Sequence, residues 1–315
     1  MRAVPLGNIQ VSAMCLGAMY MGWRTPTEMS YRLLDQYVEV GGTFLDTANT
    51  YGKTGTERVG GISEQVLGQW MHERRNRSQL FIASKVGFEY AGVERSLRAD
   101  VVIAECEKSL KRMGIETIDL YYAHVDDRST PLEETLEAFD KLRKSGKVRF
   151  SGASNFLAWR LERARWVSRT HGWPEYVCVQ QRYSYLRPVP GASTAPQVVA
   201  NEDMMDYCRV NGITLLAYSP LLSGAYVRTD KPLSSVYAGP DSDARLRALG
   251  QIAADMNATP NQVVLAWMMH STPFVLPVFA ASNPEQMAEN LGALNLQLGT
   301  EALQVLDGAS AIRPE

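Results

Sequence analysis

Apolar residues fall along this chain in two alternating rhythms. Short, nearly continuous apolar runs occupy residues 11–17, 43–45, 80–84, 117–123, 148–153, 176–179, 213–218 and 274–278. Runs this short, bounded by glycine, proline and polar residues, predict strands buried on both faces. Between them lie longer stretches with apolar residues at helical spacing. Residues 27–40 put Leu33, Leu34, Tyr37 and Val38 on one stripe, and 63–75 do the same with Val66, Leu67 and Trp70. Further helices are expected over 98–113, 131–145, 156–170, 203–210, 243–256, 260–270, 284–294 and 300–308. Thr27 and Ser63 stand where N-caps belong, Pro131 at a first helical position, and Gly114 and Gly146 at helix stops.

Strand and helix alternate eight times, which predicts a (β/α)8 barrel over residues 1–315 as one domain, with an extra helix at 300–308 packed outside. The rival is a doubly wound sheet. When such a sheet binds a dinucleotide it usually carries a glycine fingerprint after its first strand. No GxGxxG and no GxxxxGK[ST] occurs here. Residues 181–200 and 221–241 form long connections after strands, so both belong at the C-terminal mouth, where long loops usually carry function.

The 315 residues are 45% hydrophobic and 21% charged, a composition that supports a large core, and a net charge of -2 removes the electrostatic argument for a nucleic-acid partner. Cys15, Cys106, Cys178 and Cys208 are too dispersed for a metal knuckle or a redox pair. They read as buried thiols in a reducing compartment, and no metal is expected. No apolar run reaches membrane-spanning length and no signal core opens the chain, so no membrane partner is expected and the cytoplasm is the expected location.

The chemistry gathers at the ends of consecutive strands. Asp46 and Tyr51 follow the second strand, Lys85 the third and His124 the fourth. In a barrel all four emerge at one mouth. Singly, each has an ordinary explanation: a turn Asp, a packed Tyr, a solvated Lys, a structural His. Together they make a proton-donating site built on a phenol. A phenol near pKa 10 is a weak acid at neutral pH, and a neighbouring ammonium favours its ionised form. A carboxylate keeps that ammonium charged and aimed, and a neutral imidazole orients a carbonyl oxygen. Such a site handles the proton but supplies no hydride.

These residues resemble the catalytic tetrad of the aldo-keto reductases, and the likeness extends over nearly the whole chain. Residues 6–17 resemble the family's N-terminal β-hairpin running into strand one. Asp46-Thr47-Ala48-Asn49-Thr50-Tyr51-Gly52, Ser63-Glu64-Gln65-Val66-Leu67-Gly68, His124-Val125-Asp126-Asp127 and Gly152-Ala153-Ser154-Asn155 each resemble one of its motifs. The resemblance implies that Tyr51 is the general acid/base, tuned by Lys85 and Asp46, with His124 orienting the carbonyl. It implies a nicotinamide carboxamide held by Ser154, Asn155 and Gln180, although Ser154 and Asn155 also suit a cap for the following helix. It implies an aromatic stack from Tyr218, with pyrophosphate contacts from Ser219 and Leu221. The adenosine side falls to Ala281, Ser282, Gln286 and Asn290. Many members carry a cation there for the 2'-phosphate, but residues 277–290 hold no basic residue. NADP(H) is therefore the family expectation and NAD(H) a contender. Tyr20, Trp23, Phe88 and Asp126 are expected around a small carbonyl or alcohol substrate, either a flat apolar carbonyl or a keto-sugar. Two rivals are carried. One is a nicotinamide-binding regulatory subunit resembling potassium-channel β subunits. The other is an aldolase using Lys85 as a Schiff-base nucleophile.

Overall fold

Cys15–Gly17 lies between Val275–Phe279 and Phe44–Asp46 in parallel register, and this pairing joins the first and last barrel strands into a ring. The computed structural model describes residues 1–310. In chain order the elements are β1 (Ala3–Leu6), β2 (Ile9–Ser12), β3 (Cys15–Gly17), α1 (Thr27–Glu39), β4 (Phe44–Asp46), β5 (Lys53–Thr54), β6 (Glu57–Arg58), α2 (Ile62–Arg74), β7 (Phe81–Val86), α3 (Ala99–Met113), β8 (Ile118–Ala123), α4 (Leu132–Lys144), β9 (Val148–Ser154), α5 (Ala158–His171), β10 (Cys178–Arg182), α6 (Glu202–Asn211), β11 (Thr214–Tyr218), α7 (Pro240–Asp255), α8 (Pro260–His270), β12 (Val275–Phe279), α9 (Pro284–Gly292) and α10 (Thr300–Gly308). The closed barrel runs β3-β4-β7-β8-β9-β10-β11-β12 and back to β3. The expected (β/α)8 architecture is present, with the β1–β2 hairpin before it and α10 against α7 outside it.

The barrel strands form because both of their faces are covered. Every residue of β7 and β8 is buried, so an uninterrupted apolar run suits them better than alternation. Helices follow the amphipathic stretches. α8 begins with a capping box between Thr259 and Gln262, and Asn201 and Asn283 cap α6 and α9.

Three local expectations differ. Thr27 and Ser63 lie inside their helices, not at the caps, because Pro26 and Gly61 hold the entry positions. Gly61 turns the chain at φ 73° directly into α2. That frees the Ser63 hydroxyl, which donates to the Ala18 carbonyl at 2.8 Å and bonds Thr47 Oγ1 at 2.7 Å, tying together the ends of β3 and β4. Pro131 likewise precedes α4, which starts at Leu132. The strand expected over 176–179 runs instead from Cys178 to Arg182, which carries Gln180 and Gln181 into the barrel wall.

Candidate active site

Lys85 Nζ is the hub of the mouth. β7 delivers it fully buried, and it donates to Asp46 Oδ2, to the Thr47 carbonyl at 2.8 Å and to Tyr51 Oη at 3.1 Å. Three ammonium protons meet three acceptors. The other Asp46 oxygen, Oδ1, accepts from Gln180 Nε2 at 3.0 Å. His124 begins just past β8. Its ring meets Tyr51 edge-on at 5.8 Å and Phe88 edge-on at 4.7 Å, and its buried Nδ1 has no hydrogen-bond partner among the described residues. The four residues expected to form the site therefore come together.

The electrostatics follow from burial. Burial pushes the Tyr51 phenol above its usual value of 10.0, Lys85 is the largest influence opposing it, and Asp46 adds to the rise. The ammonium thus acts in the expected direction, but desolvation outweighs it, and the phenol stays protonated at neutral pH. For Lys85 burial is the largest influence and works downward, yet Asp46 and Tyr51 together hold the ammonium above 10.5. A protonated amine with its hydrogens committed is no Schiff-base nucleophile, so the aldolase reading loses its reagent. Burial, then Lys85 and Arg58, push His124 well below 6.5 and keep the imidazole neutral.

Next to the tetrad, Asn155 sits at φ 58°. Its Nδ2 donates to the His124 carbonyl at 2.9 Å and to Ser154 Oγ at 3.1 Å. Its Oδ1 accepts from Tyr218 Oη at 2.8 Å and from the Val198 N–H at 3.1 Å. The amide is saturated, and it pins β8, β11 and the 181–200 loop together. Neither Ser154 nor Asn155 caps α5, which starts two residues beyond Phe156 with Leu157 at its N-cap. Tyr218 ends β11 half-buried, Ser219 follows at φ 56°, and Leu221 leads into a short turn. After the neighbouring strand β12, Ala281 is half-buried and Ser282 exposed. The Ser282 N–H donates to Gln286 Oε1 at 2.9 Å, and the Gln286 N–H donates to Asn283 Oδ1 at 2.8 Å. Asn290 is buried and donates to the Ala280 carbonyl at 3.2 Å, bracing the end of β12.

The residues expected around the substrate are mostly aromatic. Tyr20 and Trp23 pack at 5.6 Å after β3, and Phe88 stands against His124. Asp126 is placed differently from these. Its carboxylate is paired with Arg128, and with Arg160 at 3.0 Å, leaving the side chain 9% exposed. Two features have no counterpart in the strand-and-helix pattern. One is the β5–β6 hairpin, which rises from Gly52 and turns at Gly55 (φ 61°). Its only sequence signal is the Gly55-Thr56 turn pair, with glycine at the first loop position. The other is the bond from Asn49 Nδ2 to Glu105 Oε2 at 2.7 Å, which joins the Tyr51 loop to α3 across 56 residues of sequence. Among the described residues no His/Cys/Asp/Glu group could hold a metal, all four cysteines are buried and free, and no helix is long and apolar enough to cross a membrane.

The family described as "Aldo/keto reductase family" matches residues 13–311. An aryl-alcohol dehydrogenase of Pestalotiopsis microspora is 28% identical over 96% of this chain and 80% of its own length. An NADP(+) aldo-keto reductase of Schizosaccharomyces pombe is 29% identical over 98% of this chain and 92% of its own. The crystal structure of a thermostable aldo-keto reductase bound to the inhibitor epalrestat superposes with a TM-score of 0.78 at 30% identity, covering 98% of this chain and all of that one. These relatives are enzymes, which supports an oxidoreductase over the regulatory-subunit rival. With a closed eight-stranded barrel and Asp46, Tyr51, Lys85 and His124 at one mouth, the chain belongs to the aldo/keto reductase family.

Proposed function

We propose that this oxidoreductase interconverts a carbonyl and its alcohol using a nicotinamide dinucleotide, with Tyr51 as general acid/base. The observation that carries the reading is the half-buried Tyr51 hydroxyl held 3.1 Å from the fully buried Lys85 amine; burial raises the phenol above its usual range, and Asp46 and Tyr51 hold the ammonium charged. Tyr51 gives its proton to the carbonyl oxygen during reduction and takes it back during oxidation. Lys85 stabilises the phenolate left behind, and Asp46 holds Lys85. Neutral His124 steers the carbonyl oxygen towards Tyr51.

The site's donor set fits a nicotinamide dinucleotide. None of the four residues supplies electrons, so the site needs an external hydride source. In the ring of strands, β9 and β11, which end at Ser154 and Tyr218, stand on the side facing β3 and β7, which precede Trp23 and Phe88. Ser154, Gln180 and Tyr218 would hold the nicotinamide, Ser219 and Leu221 the pyrophosphate, and Ala281, Ser282 and Gln286 the adenosine. A bound reduced nicotinamide supplies the hydride. Asn155 and Asn290, with their amides used on the protein, act as braces in this arrangement.

For the substrate we favour a flat apolar carbonyl over a sugar. Tyr20, Trp23 and Phe88 offer ring faces and edges, while the Asp126 carboxylate that would suit hydroxyls is spent on arginines. The aryl-alcohol dehydrogenase name of one relative points the same way. Fluorescence titration with NADPH and NADH tests the reading. Saturable binding of either supports it, and their affinity ratio assigns the cofactor. Binding of neither removes the hydride source and overturns it.

A further inference from the structure

Behind the barrel wall, between β7 and the helices α2 and α3, lies a cluster of buried charges that the chemistry above does not use. Glu64 is fully buried, with Oε1 accepting from Ser84 Oγ at 2.6 Å and Oε2 from Arg112 Nε at 2.5 Å. Glu105 is 2% exposed. Its Oε2 accepts from Asn49 Nδ2 and Tyr90 Oη, both at 2.7 Å, and its Oε1 from Lys108 Nζ at 2.7 Å. Each carboxylate grips the chain beside a member of the tetrad. Ser84 precedes Lys85 on β7, and strand alternation sends the serine outward and the lysine inward. Asn49 stands two residues before Tyr51.

Asn49 is held from three sides. Its N–H donates to the Lys85 carbonyl at 3.2 Å, its carbonyl accepts from the Gly61 N–H at 2.8 Å, and its side chain reaches Glu105. Only glycine allows this approach. A Cβ on Gly60 would stand 2.5 Å from the Tyr90 ring and 2.6 Å from the Asn49 carbonyl oxygen, and one on Gly61 would stand 2.5 Å from Arg112 Cδ. Burying carboxylates is costly, and apolar residues would fill the same layer at least as stably. What the carboxylate adds is a fixed, directional anchor for one loop.

We propose that Glu105, acting through Asn49, is a positioning residue that holds the Tyr51 hydroxyl within reach of Lys85. This rests on the reading of Tyr51 as proton donor. Glu105 touches no reacting atom, and its effect passes through the Asn49–Tyr51 backbone.

An exchange of partners tests it. In the native pair an amide donates to a carboxylate. Asn49→Asp sets two carboxylates against each other, and Asn49→Asp with Glu105→Gln restores one amide and one carboxylate with the bond reversed. The measurements are NADPH affinity by fluorescence, kcat and KM for 4-nitrobenzaldehyde, melting midpoint, and hydrogen exchange of residues 46–52 without nucleotide. Displacement of a reacting group by about 1 Å costs about 100-fold, so Asn49→Asp should lower kcat by about 10- to 100-fold. NADPH affinity should stay near that of the unmodified protein, exchange should quicken in 46–52, and the double variant should recover most of the loss. Asn49→Ala, which removes the donor without adding charge, serves if Asn49→Asp does not fold, and it too should lower kcat. Full kcat in the single variants overturns the proposal, as does a loss the double variant leaves untouched, or a lowered melting midpoint with unchanged kcat. If Tyr51→Phe turns over as fast as the unmodified enzyme, the proton-donor reading itself fails and this inference falls with it.

Discussion

Gln180 donates from Nε2 to Asp46 Oδ1 at 3.0 Å, the carboxylate oxygen that Lys85 leaves open. The Asp46 carboxylate is thus fixed from both sides, and the Lys85 ammonium inherits its direction from that fixation. A hydrogen bond to a buried charge is worth about 1.5–3 kcal/mol. Gln180→Leu keeps the volume roughly and leaves Oδ1 bare. The expected outcome is a stability loss of that size, about 1.5–3 kcal/mol by denaturant titration, together with a kcat lowered about tenfold or more. Unchanged stability and turnover would mean that Lys85 alone positions Asp46.

Tyr51→Phe removes one hydroxyl and keeps the ring that meets His124 edge-on. The variant should bind the nicotinamide nucleotide as the unmodified protein does. Its turnover should fall by about 100- to 10,000-fold, the range for loss of a general acid. Steady-state kinetics beside a binding titration separate the two effects. Full turnover would move the proton-donor role to another group.

The pH dependence follows from His124. Its imidazole is held neutral in the folded protein, with burial the main cause, while the unfolded chain binds a proton below about 6.5. Below 6.5 the unfolded state therefore holds more protons than the folded one, so stability falls as the solution is acidified through that point. His124→Gln has no such proton to gain and should flatten this part of the curve of melting midpoint against pH. Tyr51 gives the opposite edge. Its phenol is raised above 10.0, so the reduction rate should hold through neutral and mildly alkaline pH and decline only beyond that value. A decline centred near neutrality would assign the proton to another group.

The barrel was legible because its strands are buried on both faces and therefore read as apolar runs, and the tetrad because its members follow consecutive strands. The same rule explains what was missed. β10 was expected two residues too early because Gln180, Gln181 and Arg182 are polar, yet they pair in register with Leu216, Ala217 and Tyr218 of β11. Their polarity is met inside the fold: Gln180 by Asp46, and Gln181 by the Asn155 N–H at 2.7 Å. The β5–β6 hairpin is exposed along both strands and so has no apolar alternation to betray it. The Ser63 hydroxyl looked like a cap because its real partners, Thr47 and Ala18, are distant in sequence. The motif glycine Gly68 has a reason that only packing shows: a Cβ there would lie 2.6 Å from the Met113 carbonyl oxygen, where α2 crosses α3.

The proposed adenosine side offers a test of cofactor choice. Exposed Ser282 precedes the Asn283 cap of α9, and its N–H is tied to Gln286. Residues 277–290 hold no cation, so a 2'-phosphate there would rely on neutral hydrogen bonds and the positive end of α9. Ser282→Arg adds a guanidinium while leaving the backbone bond to Gln286 available. A hydrogen bond to a charged group contributes about 1.5–3 kcal/mol, so NADPH affinity should rise by about tenfold or more. NADH, which lacks the 2'-phosphate, should change little. The gain should shrink as salt rises, because an exposed ion pair is screened. Equal gains for both nucleotides would indicate general attraction to an anion, and no gain for either would place the 2'-position away from Ser282.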